Sequence, residues 1–281
     1  MSEALDHLKA VASEFRATVT SENSDSFIVR FEVVRADEAV EVFHLRVVDG
    51  TVNEAIPKVF ECEPQRLPTF CLERHIVGTG SFCLSWNPGE PSEVLDAETA
   101  RAFWSRVDRF LQCQLTASAL RKWPAQRNAR AHGKAAGYQN IAENLAAQLG
   151  PNALRDLRVS KFTVQRVVTR GKVRLELHRD GQRVARIAIN GSLISTMTRC
   201  LCDESARTRV SIGECHDHAE VVADLIRALY LWRETHSEFI RTIVAGGSHC
   251  CGTLDVCEIR RAGAALSTPA LPIHLEAGNG G

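Results

Sequence analysis

Apolar residues at Leu5, Leu8, Val11, Ala12 and Phe15 recur at helical spacing, which predicts an amphipathic helix over 3–16. Two runs rich in Val and Phe follow, over 26–34 and 39–48. The polar link Arg35-Ala36-Asp37-Glu38 joins them, and the pattern predicts an antiparallel hairpin. Ile56 to Phe60 starts a third strand, and the prolines at 57, 64 and 68 confine this stretch to a sheet edge or to loops. Trp86-Asn87-Pro88-Gly89 reads as a surface loop. Asp96 then reads as an N-cap, with Ala100, Phe103, Trp104, Val107, Phe110 and Leu111 forming one stripe of a helix over 97–115. Ile141, Leu145 and Leu149 predict one more short helix, stopped by Gly150-Pro151.

That stop divides the chain. Strand patterns resume over 161–169, 172–178 and 183–189, with Arg179-Asp180-Gly181-Gln182 as a hairpin turn. A long helix then carries Val221, Val222, Leu225, Ile226, Leu229, Trp232, Phe239, Ile240 and Ile243, and Gly246-Gly247 ends it. The expected division is therefore a first domain over 1–150, a cysteine-rich α+β domain over 151–262, and a disordered tail over 263–281.

Composition narrows the functional classes. The 281 residues are 44% hydrophobic and 24% charged, as expected of a soluble globular protein with two cores. With 34 basic and 34 acidic residues, no electrostatic footprint points to nucleic acid or to an anionic membrane surface. No apolar run approaches the roughly 20 residues of a membrane span, and the first residues are not a secretory signal. A cytoplasmic setting is expected, and there the ten cysteines stay reduced.

One thiol stands in a distinctive setting. Cys83 closes the run Glu73-Arg74-His75-Ile76-Val77-Gly78-Thr79-Gly80-Ser81-Phe82-Cys83-Leu84, at the end of a glycine-containing loop and eight residues after His75. With an initial helix, a strand meander and a following helix, this run resembles the ubiquitin-conjugating enzymes. In that family a His-Pro-Asn element precedes a Gly-Ser-x-Cys-Leu acceptor run. Here Glu73-Arg74-His75 occupies the His-Pro-Asn positions, a form similar to the prokaryotic branch found in antiphage operons; Trp123-Pro124 and His132-Gly133 resemble that branch too.

The resemblance covers about residues 1–150 and implies an α+β fold of the ubiquitin-conjugating type, followed by the second α+β domain. It implies that Cys83 accepts a ubiquitin-like modifier from an activating enzyme as a thioester and passes it to a protein target, with no cofactor required for the chemistry. A thiolate is both nucleophile and leaving group, which suits such a relay. His75 stands where the family keeps asparagine, so it is a candidate oxyanion donor or a base. His132 is the third candidate catalytic residue.

Two alternatives stay open: a cysteine hydrolase or peptidase using Cys83 with His132, and an inactive scaffold of the same fold. Against the hydrolase, Leu84-Ser85-Trp86-Asn87-Pro88 cannot start the helix that carries the nucleophile in papain-like enzymes.

Six cysteines crowd the last third. Cys200, Cys202 and Cys215, with the adjacent His216, offer a ligand set suited to a structural zinc, although a one-residue gap is tighter than the usual zinc pair.

Overall fold

The computed structural model describes residues 2–50, 56–84, 93–124, 131–202, 210–215 and 217–267, with the side chains of 264–267 excepted. Helix α1 (Glu3–Val11) is capped by the Ser2 hydroxyl and runs into a 3-10 turn (Ala12–Phe15). Four strands follow in antiparallel order: β1 (Ala17–Glu22), β2 (Ser26–Val34), β3 (Val40–Val48) and β4 (Lys58–Glu61).

The pairs Phe27↔Val47, Val29↔Leu45 and Phe31↔Phe43 lie in register, and all six side chains are buried. Period-two alternation puts them on one face, which α1 and α2 (Ala97–Leu120) cover. Asp96 and Thr99 form a reciprocal capping box at the start of α2. Trp104, fully buried, donates its indole N–H to the Leu8 carbonyl at 2.9 Å and so fixes α2 against α1.

Helices α3 (Lys134–Gln148) and α4 (Pro151–Arg158) precede a second antiparallel sheet of β5 (Phe162–Thr169), β6 (Lys172–Arg179) and β7 (Gln182–Ala188). Helix α5 (His218–Ala245) crosses this unit, and α6 (Glu258–Ser267) follows. Val164, Leu175, Leu177, Ala185 and Ile187 from the sheet share one core with Ala142 and Ala146 of α3 and Val222, Leu225 and Ile226 of α5.

Two expectations change here, and a third gains detail. Gly150-Pro151 falls inside the second core, because Ala142, Ala146 and Leu149 before it pack with Ala153 and Leu157 after it. The helix predicted from Ile141, Leu145 and Leu149 forms as α3, but Ile141 is 47% exposed, and Ala135, Ala142 and Ala146 are buried along with Leu149. Small residues let two helix backbones approach closely, which the apolar-size pattern underrates. Residues 263–267, expected to be disordered, continue α6 to Ser267; the rest of the expected tail, and the 86–91 loop, lie outside the described residues.

Candidate active site and metal centre

The spacing between His75 and Cys83 has a structural cause. Cys71 and Ile76 exchange backbone hydrogen bonds of 3.0 and 2.9 Å around a 3-10 turn (Leu72–Arg74) that ends with His75 in the left-handed region, at φ 55°. The chain then reverses: Val77 N–H donates to the Ser81 carbonyl at 3.0 Å and Gly80 N–H to the Val77 carbonyl at 2.8 Å, with Gly80 at φ 83°. A side chain at Gly80 would be strained by that backbone. The reversal aligns Ile76 with Phe82 and returns Cys83, whose N–H donates to the His75 carbonyl at 2.8 Å. Phe82 N–H in turn reaches the Val59 carbonyl at 2.9 Å, so this loop is stitched to the open edge of β4.

Arg74 locks the loop onto α2. Its guanidinium, in a residue only 2% exposed, donates to Gln114 Oε1 (2.6 Å), to the Gln114 carbonyl (3.0 Å) and to Ser118 Oγ (2.8 Å), while Gln114 Nε2 donates to the Arg74 carbonyl at 2.6 Å. Arg74→Ala is expected to cost about 3 kcal/mol, because it strands a buried Gln114 oxygen and leaves a void. Urea unfolding checks this, with exposed Arg121→Ala as a control that shifts by less than about 1 kcal/mol despite its ion pair to Asp255.

His132 arrives from the second unit. Gly133, at φ 56° and ψ −136°, makes the turn into α3 in a conformation that favours glycine. The His132 ring stacks on Phe239 of α5 (centroids 5.6 Å apart, planes 17° apart) and lies 4.9 Å from the His75 ring, which also meets Trp123 at 5.3 Å. His132 Nε2 sits 3.1 Å from the Leu72 carbonyl. A carbonyl only accepts, so that nitrogen carries the proton and Nδ1 keeps the lone pair.

The three predicted residues therefore meet: the Cys83 sulfur and one ring nitrogen each of His75 and His132 lie within 4.8 Å of one another. Burial pushes the half-buried Cys83 thiol up from its ordinary value. Burial also pushes His132 down, against the opposing pull of its bond to the Leu72 carbonyl. At neutral pH the pair is thus a thiol beside a neutral imidazole. The other cysteines of the first domain have different surroundings: Cys71 and Cys113 are buried, and Cys71 Sγ lies 2.9 Å from Cys251 Sγ.

A second cluster joins Cys200, Cys202 and Cys215 with His218, the first residue of α5. Cys202 and Cys215 sulfurs are 3.5 Å apart, and His218 Nδ1 lies 3.2 Å from Cys215 Sγ and 3.6 Å from Cys200 Sγ. A tetrahedral zinc with ordinary bond lengths needs edges of about 3.8 Å between sulfurs and about 3.5 Å from sulfur to nitrogen. The donor set and its spacing fit a structural metal. With the thiols protonated, burial and crowding push Cys215 up to about 12, a cost that a divalent ion would remove by taking thiolates as ligands. His216, the fourth ligand expected from the sequence, lies outside the described residues; among those described, His218 completes the set. The signal for it was the three-residue step from Cys215, one that a helix start brings to the same side.

The first domain thus has the class features of a ubiquitin-conjugating domain: an initial helix, a four-stranded antiparallel meander, an acceptor-type thiol on a rigid hairpin, and a covering helix. Comparison of families agrees. Residues 15–125 match the family model of a prokaryotic E2 domain, and residues 131–259 match that of a cysteine-rich domain C-terminal to an E2 domain. No curated protein and no solved structure matches it. Among the described residues, no helix is long and apolar enough to cross a membrane.

Proposed function

We propose that this chain is a conjugating enzyme that carries a ubiquitin-like modifier as a thioester on Cys83 and passes it to a protein target, in a bacterial pathway of the antiphage type. The observation that carries this reading is the meeting of Cys83 and His75, on one rigid hairpin, with His132 from the second unit. In the first half-reaction the Cys83 sulfur attacks the modifier's C-terminal carbonyl, held as a thioester on the activating enzyme. The carbon–sulfur bond to that enzyme breaks, and the Cys83 proton passes to the lone pair of His132. His75, in place of the family's asparagine, donates to the developing oxyanion. The two functional units divide between residues 125 and 131, and zinc held by Cys200, Cys202, Cys215 and His218 organises the second.

The test is a gel run without reductant after incubation with an activating enzyme, modifier and ATP. An adduct that thiol reductant removes supports the reading; its absence under conditions that charge another conjugating enzyme counts against it. The nearness of His132 to Cys83 also favours a second reading, a cysteine hydrolase, in which water receives the acyl group. Turnover of a peptide substrate, with no adduct at any time point, would decide for that alternative.

The acid–base roles predict a pH signature. Because Cys83 is raised and His132 lowered, both start in the forms that base-assisted attack needs at pH 7. Wild-type charging should change little between about pH 7 and 8.5. His132→Ala, left with preformed thiolate alone, should start slower and rise about tenfold per pH unit. A wild-type rate with that same steep rise would remove His132 as the base.

A further inference from the structure

Two cysteines from different units meet at the base of the Cys83 hairpin. The sulfurs of Cys71 and Cys251, 180 residues apart in the chain, lie 2.9 Å from one another. Each is held in place by its surroundings. Cys71 begins the loop through its two backbone hydrogen bonds with Ile76, and it packs with Ala117 of α2 and with Leu254. On the other side, Asp255 N–H donates to the Arg121 carbonyl at 2.9 Å and Arg121 Nε donates to Asp255 Oδ1 at 2.7 Å. These bonds tie the segment between α5 and α6 to the end of α2. The neighbouring Cys250 sulfur is engaged elsewhere, accepting from Gly252 N–H at 3.4 Å and from the Arg260 guanidinium at 3.5 Å. Cys71 is 3% exposed, whereas Cys251 is half-buried and lines an open cavity of about 490 Å³ with Arg66, Phe70 and His249. A small molecule can therefore reach one thiol of the pair and not the other. Neither the charging of Cys83 nor the metal cluster uses these two sulfurs.

We propose that Cys71 and Cys251 form a redox-modification site, in which a small hydroperoxide oxidises Cys251 and Cys71 converts the product into a reversible disulfide between the two units. The site stands apart from the thioester reading. In the first step the Cys251 thiolate attacks one oxygen of hydrogen peroxide, and the O–O bond breaks. Cys251 becomes a sulfenic acid, and the departing hydroxide takes up the thiol proton as water. In the second step the Cys71 sulfur attacks the sulfenic sulfur and gives up its own proton. The S–S bond forms, the S–O bond breaks, and the hydroxide leaves with that proton as a second water. Two thiols thus lose two hydrogens while one peroxide becomes two waters. The surroundings divide the roles in the same way. Thr253 Oγ1 lies 3.0 Å from Cys251 Sγ. The hydrogen bond with Cys71, and after it those with Thr253 and the charge of Arg74, pull Cys251 below its ordinary value against the opposing effect of burial. The same hydrogen bond, together with burial, pushes Cys71 up, so it waits as a thiol.

The experiment treats the full chain, as purified and reduced, with one equivalent of hydrogen peroxide at pH 7, then blocks the remaining thiols and maps the peptides. The expected product is a peptide pair joined through Cys71 and Cys251. It should migrate faster on a gel without reductant, because the bond closes a long loop, and a thiol reductant should reverse it. Cys83, which burial keeps as a thiol, should be oxidised at least about tenfold more slowly. In Cys71→Ser the sulfenic acid on Cys251 has no partner, and a cyclic-diketone probe should label it about tenfold above wild type. In Cys251→Ser, Cys71 should stay reduced. A disulfide from Cys251 to Cys250 in place of Cys71 overturns the proposal. So does oxidation of Cys71 at the wild-type rate in Cys251→Ser, or a Cys71–Cys251 pair that stays reduced while Cys83 is oxidised. If Cys71→Ser does not fold, the wild-type map and Cys251→Ser decide the matter between them.

Discussion

Cys83→Ala is expected to abolish the reductant-sensitive adduct completely, while Cys62→Ala and Cys113→Ala leave it in place. In the proposed relay the Cys83 sulfur is the atom that bonds to the acyl group, so no neighbour can substitute for it; Cys113 is buried, and Cys62 lies on another loop, past β4. Loss through misfolding is not expected. Removing one half-buried sulfur costs on the order of 1 kcal/mol, whereas the hairpin around it is fixed by backbone hydrogen bonds that the substitution spares. Cys83→Ser sharpens the test. Any adduct it forms is an oxygen ester, which survives reductant, and it forms more slowly because a serine hydroxyl is far less acidic than a thiol. Circular dichroism and urea midpoints like those of the wild type, together with loss of the adduct, complete the expected result. An adduct on Cys83→Ala that reductant still removes would move the acceptor to another thiol.

The parts of this site legible in the sequence were those built from local segments. The glycines before Cys83 marked a turn, exposed at Gly78 and Thr79 while Ser81 is buried, and the eight-residue step from His75 is an out-and-back reversal bridged between Ile76 and Phe82. The β2–β3 hairpin and α2 followed from period and cap, because each buries a continuous face. Strand β1 escaped because only Ala17 of its six residues is buried, so its Thr and Ser positions carry no inward pattern. Helix α4 escaped because Gly150-Pro151 reads equally as a stop or as a start, with proline at the first helical turn. The meeting of His132 with His75 depends on how α5 lies against the first domain, and that of His236 with Glu258 on how α5 packs against α6. Such a packing choice is set by long-range contacts and leaves no local trace.

Zinc removal should produce the largest change in stability. Cys200 and Cys202 are buried among Leu201, Ile212 and Val222, so the metal would sit at the edge of the second core, tying the Arg199↔Ser211 bridge and a short 3-10 turn to the start of α5. Structural zinc contributes about 10–16 kcal/mol in small metal-folded peptides. Even a third of that, in a chain of this size, shifts the melting temperature by about 10 °C or more. Purified protein is expected to hold about one equivalent of zinc. Chelation or His218→Ala should release it and loosen the second domain, whereas His216→Ala should keep it. The first domain should hold its own fold, since no described residue of the second unit belongs to its main core. Because His218 begins the helix whose Phe239 stacks on His132, metal loss should also slow charging of Cys83. Less than about half an equivalent in the wild type, or full occupancy in His218→Ala, would show that these four residues do not form the metal site.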